Sequence, residues 1–564
     1  MLYLIHSIVL HLPPMHFLKI IKNVLISVLK IVLFFVFPIL VVWVSCYFLI
    51  PQLKFYLKEV IGFTVMTLFL ICIVLLLPKF LRKGFSFFSI ILLSFLAFVK
   101  ISFYHHYGVK LSASALFVIF ETNNTEASEF LYYYLDTYTL ALAMLMLLFI
   151  AVISFFLFSK RSFFSVYQKP FQVQIRPIVL FVVPLAVIGL SVYFINRTFA
   201  EENILYKSYN AYNEYKATKK VLKGQLAKKS SENLNIISTS ENQQTYIVII
   251  GESTTRRHLQ LYGYSRETNP KLSAIKDNLL IFDSVISPNV HTILSLEKIC
   301  TLSNFKEPNK KKNGSIVQLA NQAGFKTYWI SNQRPVGIHE SIPTLISGAA
   351  TVKNYVATDN YSESIYDEAL LPYINKAIND KEKKKVIFVH LIGTHSRYGY
   401  RYPKNKTYFK DNPNTTFSKT ANAVETINEY DNAVRYNDSI VNAVIKMTQR
   451  KEENSYVLYF SDHGDDVFDT SQTFLGHNEF HGTKPMYEVP FIFWASESYK
   501  KNHSFFGRRE EITTRKYNLE DFIHTFSHLS DIDFDKKDLS RSIFSKTFKS
   551  RPRIIKKGED YDAR

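Results

Sequence analysis

Four short apolar runs beyond residue 244 each end in a polar cluster. YIVII runs into Gly251-Glu252-Ser253, TYWI into Ser331-Asn332-Gln333, VIFV into His390 and on to His395, and YVLYF into Ser461-Asp462-His463-Gly464. Ligands of open α/β sheets bind beyond the carboxyl ends of the strands, so strands of this kind would bring the clusters to one edge. Glu252, Asp462 and His463 are then candidate metal ligands. Two hard oxygens and one imidazole suit zinc or manganese, with a hydroxyl or water in the remaining position. Taken alone, the Asp-His-Gly turn also reads as a loop closed by an Asx-type bond, and Glu252 as a surface carboxylate or the neighbour of a helix cap.

The nucleophile has a weaker signature. In SPNVHTILSLEKICTLSN, Ser287 to Asn304, a Pro288-Asn289 turn precedes an apolar-periodic helix. Thr292 falls at or near its first turn, where free N–H groups and the helix dipole favour a phosphate. A hydroxyl on a divalent metal can lose its proton near neutral pH and attack; the plainer role for Thr292 is an N-cap. His395 and His477 lie in glycine-flanked loops, where they can bind phosphoryl oxygens and protonate a leaving alkoxide. His390 and His481 compete for the general-acid role, and Asn332 is a candidate substrate contact.

These residues need a scaffold. From Thr245 onward, β-rich runs alternate with longer helical stretches, the pattern of an α/β domain with a mainly parallel sheet. Before it, Asn196 to about Gln244 is a Lys- and Tyr-rich connector, expected as surface helices against the membrane and then a linker. Earlier still come five apolar runs, roughly Val28–Ile50, Val60–Leu77, Phe85–Tyr104, Tyr138–Phe158 and Ile178–Ile195. Each is near the ~20 residues that cross a bilayer. The expected domains are therefore a five-helix transmembrane domain (1–198), a juxtamembrane segment (199–244) and a catalytic domain (245–564).

Lys19, Lys22 and Lys30 stand at the first run; Lys79, Arg82 and Lys83 lie between the second and third. Lys160, Arg161, Lys169 and Arg176 lie between the fourth and fifth, whereas the loop after the third carries Glu121, Glu126, Glu129 and Asp136. The positive-inside rule makes the amino terminus cytoplasmic and the final domain extracytoplasmic. The net charge of +19 suits anionic lipid, and no nucleic-acid module accompanies it. With Cys46 and Cys72 in apolar runs, Cys300 stands alone in the polar part and no intrachain disulfide forms there. Met15 is an alternative start to Met1.

The run GESTTRRHLQLYGYSRETNP (Gly251–Pro270) resembles the opening motif of the membrane-anchored phosphoethanolamine transferases of the alkaline phosphatase/sulfatase superfamily. SPNVHTILSLEK, YWISNQ, HLIGTH, EYDNAVRYNDSIV and SDHGDD follow in that family's order. The resemblance implies an enzyme of the Gram-negative inner membrane that moves phosphoethanolamine from phosphatidylethanolamine to lipid A, a lipopolysaccharide core sugar or another periplasmic acceptor. It makes Thr292 the phosphoryl acceptor and a metal ligand, and Glu252, Asp462 and His463 the zinc ligands. His395 and His477 are assigned to the donor phosphate or to a second, weaker metal. Thr122 and Glu126, in ETNNTEASEF, match residues of a lipid-headgroup pocket, and a monomer is expected.

The departures from that pattern point to the core-sugar branch. The lipid A branch carries several disulfides and cysteines flanking its nucleophile turn, and this chain has neither. Asp465 stands where Glu is usual, and the loop around His477 is differently spaced. Two rivals share parts of the reading: a phosphoglycerol transferase of the same architecture, and a membrane sensor or scaffold that keeps the fold without catalysis. A sulfatase is disfavoured because no Cys/Ser-x-Pro-x-Arg signature surrounds residue 292.

Overall fold

The computed structural model describes residues 14–107, 110–111, 116, 135–158, 177–309, 312–333, 342–357, 365–413, 420–472, 474–479 and 481–564. The chain divides into two compact units, the first built on residues up to 213 and the second on residues from 214 onward.

The first unit is helical: α1 (Pro14–Leu49), α2 (Leu53–Leu76), α3 (Lys79–Tyr107), α4 (Thr137–Phe158) and α5 (Pro177–Arg197). Four of these carry apolar stretches long enough to cross a membrane, Val32–Leu49, Leu53–Leu76, Phe80–His106 and Thr137–Phe158. The fifth is apolar over Phe181–Arg197 and contains Pro184. Their shared core includes Phe35, Val42, Phe63, Val74, Ile90 and Leu93. Two ionisable side chains sit inside the helices and pair with each other, as charge in an apolar medium requires. Lys100 meets the carboxylate of Glu59, Tyr104 donates its hydroxyl to Glu59 Oε1 at 2.7 Å, and Lys100 Nζ also donates to the Glu202 carbonyl at 3.0 Å.

A sixth helix, α6 (Ile204–Leu226), begins in the first unit and ends in the second. Beyond it, Ile236–Thr239 pairs antiparallel with Ile532–Phe534. Part of the expected linker is therefore regular structure, tied to the far end of the chain.

The second unit is built on a seven-stranded sheet. Its strands are β1 (Gln244–Gly251), β2 (Leu279–Ile281), β3 (Lys326–Ser331), β4 (Val352–Tyr355), β5 (Lys384–His390), β6 (Ser455–Ser461) and β7 (Phe491–Ala495), in the order β2-β7-β6-β1-β5-β3-β4. The five strands from β6 to β4 are parallel, and β7 runs antiparallel to both β6 and β2. This is the α/β sheet the alternating pattern predicts, and the four apolar runs are β1, β3, β5 and β6.

Side chains of β1 alternate between two cores because successive residues of a strand face opposite sides. Tyr246, Val248 and Ile250 join Leu296, Ile299, Leu319 and Phe526 on one face. Ile247 and Ile249 join Ile374, Val441 and Val444 on the other. Burial on both faces explains why this strand reads as unbroken YIVII rather than as an alternating pattern.

Helix α7 (Thr292–Ile299) packs on the first face, and α8 (Leu371–Ile378) and α9 (Ala421–Gln449) on the second. The long α9 also fixes the loop after β1. Tyr430 accepts a hydrogen bond from Thr255 N at 2.9 Å and donates to the Ser253 carbonyl at 2.8 Å. Asp431 receives His258 Nδ1 at 2.6 Å, Tyr264 Oη at 2.9 Å and Arg266 Nη1 at 2.7 Å, while His258 Nε2 reaches Asp469 at 3.2 Å. The segments GESTTRRHLQLYGYSRETNP and EYDNAVRYNDSIV, far apart in sequence, are thus one bonded layer.

Burial lowers the basicity of His258, but Asp469 and Asp431 outweigh it and raise the pKa from 6.5 to about 10. The folded state therefore holds an extra proton between these values. This stabilisation is complete below about pH 6.5 and is lost as pH rises through about 10. The expected outcome in a thermal-melt series is a midpoint for the second unit that falls over this range, with a shallower fall in His258→Gln.

Candidate metal centre and nucleophile

Pairing of β1 with β6 sets Gly251 beside Ser461, so the next residues, Glu252 and Asp462, leave adjacent strand ends together. Pairing of β1 with β5 sets Ile250 beside His390, and β5 with β3 sets Ser331 beside His390. The four clusters therefore do meet at one edge.

Thr292 is the first residue of α7. His291 precedes it at the N-cap with φ −127° and supplies no side-chain cap, so the first-turn N–H groups stay available for an anion. Thr292 Oγ1 lies 3.1 and 3.0 Å from the two carboxylate oxygens of Glu252 and 3.4 Å from His463 Nε2. The turn ahead of it is held by Glu479, a residue the sequence gives no reason to single out. One Glu479 oxygen accepts from Asn289 Nδ2 at 3.0 Å and the other from Val290 N at 3.0 Å.

The four groups fit a divalent cation. His463 Nδ1 lies 3.0 Å from the Gly464 carbonyl; donation there leaves Nε2 as a lone pair facing Glu252 Oε1 at 3.1 Å. Asp462 Oδ1 accepts from Ser253 N at 3.3 Å and His463 N at 2.7 Å, whereas its buried Oδ2 has no hydrogen-bond partner. An orphaned carboxylate oxygen costs free energy unless a cation meets it. Ligand atoms of Glu252, Asp462 and His463 lie within 4.8 Å of one another.

The electrostatics agree. Burial and the Glu252 carboxylate push Asp462 up to about 8. Burial opposes the charged form of His463, but Asp462 and Glu252 hold it up at about 10. Against burial, His463 in turn holds Glu252 well below the usual carboxylate range. Without a cation the cluster thus keeps protons on Asp462 and His463 beside an ionised Glu252, and a metal would take the place of those protons.

The surrounding loops owe their course to two glycines. Gly393 has φ +52°, and a Cβ there would lie 2.8 Å from the Glu252 carbonyl oxygen; a Cβ at Gly464 would lie 2.3 Å from the Pro485 carbonyl oxygen. The first approach brings the His395 loop against Glu252, whose carboxyl is held down against burial by His463 first and by His395 second. His477 Nδ1 lies 2.6 Å from Asp465 Oδ1, and Asp465 Oδ2 accepts from Tyr398 at 2.7 Å. Burial and the neighbouring His463 keep the pKa of His477 below its ordinary value. Among the described residues, His477 gathers its ligand atoms with His463 and Asp465.

The other candidates separate. His390 is buried, with its pKa lowered to about 4 by burial, and its ring lies edge-on to Trp329 at 5.9 Å. His481 packs on Phe474 at 4.8 Å. Asn332 Nδ2 donates to the Ile365 carbonyl at 2.9 Å and to Asp367 Oδ1 at 3.0 Å. Its neighbour Gln333 is the one that reaches Glu252, donating Nε2 to Oε2 at 2.8 Å. Thr122 and Glu126 lie outside the described residues.

The chain matches the Sulfatase family model over residues 244–532. It is 33% identical over 478 residues to "Phosphoethanolamine transferase EptC" of Escherichia coli (strain K12), covering 80% of this chain and 81% of that protein. The zinc-complexed C-terminal periplasmic domain of Escherichia coli EptC superposes with a TM-score of 0.55 at 36% identity, over 58% of this chain and 95% of that one. The integral membrane protein lipooligosaccharide phosphoethanolamine transferase A (EptA) of Neisseria meningitidis shares the fold, with a TM-score of 0.59 at 18% identity over 88% and 90% of the two chains.

Gln333 fixes the orientation of Glu252 by its hydrogen bond. Gln333→Leu should leave the protein folded and weaken metal binding by about 10–100-fold, as read by competition with a chromophoric chelator.

Proposed function

This chain belongs to the phosphoethanolamine transferases, within the sulfatase family, and we propose that it carries phosphoethanolamine from phosphatidylethanolamine to lipopolysaccharide through a covalent intermediate on Thr292. The observation that carries this reading is Thr292 Oγ1 at the start of α7, 3.0 Å from Glu252 and 3.4 Å from His463 Nε2, beside the orphaned Asp462 Oδ2.

In the first step Thr292 Oγ attacks the phosphorus of the donor in line. The Oγ–P bond forms as the threonine hydroxyl gives up its proton, the bond from phosphorus to the diacylglycerol oxygen breaks, and that oxygen takes up a proton. In this reading His477, oriented by Asp465, and His395 bind phosphoryl oxygens and pass the proton released by Thr292 to the leaving oxygen. In the second step an acceptor hydroxyl or phosphate oxygen attacks the same phosphorus, the Oγ–P bond breaks, and Thr292 Oγ regains a proton, which a hydroxyl acceptor gives up in forming its bond. The first-turn N–H groups of α7 bind the equatorial oxygens in both steps. Glu252, Thr292, Asp462 and His463 would hold one zinc ion, or manganese in its place. That ion supplies the charge that acidifies the threonine hydroxyl and offsets the charge on phosphorus-bound oxygen.

The resemblance assigns Thr122 and Glu126 to the headgroup pocket of the donor. We place the catalytic unit on the periplasmic side of the inner membrane with a cytoplasmic amino terminus, on the loop-charge asymmetry. The working form is a monomer, and the acceptor is a core sugar in preference to lipid A.

Thr292→Ala should abolish transfer, lowering the rate by about 10³-fold or more, while metal content and melting midpoint stay as in wild type. Mass spectrometry of wild-type chain incubated with phosphatidylethanolamine should find phosphoethanolamine on the peptide containing Thr292. Lipid A and core oligosaccharide from expressing cells then identify the acceptor. Retained transfer in Thr292→Ala, or a phosphoglycerol adduct, would overturn the reading.

A further inference from the structure

A second set of metal-ligating side chains is brought together in the first unit. His105 and His106 occupy the last turn of α3, and Asp136 immediately precedes α4. Ligand atoms of the three lie within 4.8 Å of one another. Consecutive helical residues diverge by about 100°, yet the two imidazole rings meet edge-on with centroids 4.9 Å apart.

Each ligand is also oriented from outside the set. Asp136 Oδ1 accepts from Thr139 N at 2.8 Å, which leaves Oδ2 to face His105 Nε2 at 2.7 Å. His106 Nε2 lies 2.9 Å from Thr139 Oγ1. The His105 ring stacks on Tyr138 with centroids 4.2 Å apart. The negative dipole end at the close of α3 favours a cation in the same place. Side-chain exposures of 27% for His105 and 41% for Asp136 leave solvent access for water to complete the coordination.

We propose that His105, His106 and Asp136 form a second divalent-metal site, for zinc or another ion that favours imidazole. Two histidines and a carboxylate with open positions are a competent donor set for such ions. The ion would join the end of α3 to the start of α4. It would thereby tie together the two ends of the connection that carries Thr122 and Glu126.

The test uses the full chain in detergent, with the first centre disabled by Asp462→Asn and His463→Asn, stripped with chelator and equilibrated with zinc. Zinc per chain, measured by elemental mass spectrometry after gel filtration, should fall by one equivalent when His105→Ala and His106→Ala are added. An unchanged zinc content overturns the proposal and reduces the cluster to a His–Asp ion pair. Circular dichroism checks that the variants are folded. If the double alanine variant fails that check, His105→Gln alone is read in the same way, with the same outcome deciding.

Discussion

Two carboxylates and an imidazole are buried together at the ends of β1 and β6, and the second unit is organised around making that tolerable. Glu252, Asp462 and His463 are all essentially inaccessible to solvent. Hydrogen bonds satisfy most of their polar atoms: Ser253, Thr292 and Gln333 serve Glu252, backbone N–H groups serve one oxygen of Asp462, and the Gly464 carbonyl serves His463. One Asp462 oxygen is left over. The remaining demand is for positive charge, and that is what fits the cluster for a metal ion.

Everything near the cluster is fixed by elements distant in sequence. The loop after β1 is bound to α9 through Tyr430 and Asp431, and the turn before Thr292 is bound to Glu479. Site geometry is thereby coupled to sheet register and helix packing. A shift of β1 by one residue relative to β6 would separate Glu252 from Asp462 and exchange the two faces of the strand.

The sequence made some of this legible and hid the rest for a physical reason. An apolar run that stops at a polar cluster is a local signal, so the four strands and their polar ends could be read directly. The ligand types followed from the chemistry of those ends. Thr292 could be reached by local reasoning only as a helix start; the resemblance raised it to a nucleophile. Gln333, Glu479 and Asp431 carry no local mark, because each acts on a partner remote in sequence. Asn332 was the more obvious amide of its pair, yet its nitrogen is committed to Ile365 and Asp367. The segment between the units read as a linker because its composition is polar, while the pairing of Ile236–Thr239 with Ile532–Phe534 spans most of the second unit.

The hydrogen-bonded clamp of Glu479 on Asn289 and Val290 has a consequence for where this protein can mature. All three cysteines are buried and free, so no disulfide holds the turn ahead of Thr292. Its geometry depends on a carboxylate and two N–H groups that assemble as the chain folds. The catalytic unit therefore needs no thiol oxidation to reach its working shape, and a reducing surrounding leaves that shape intact.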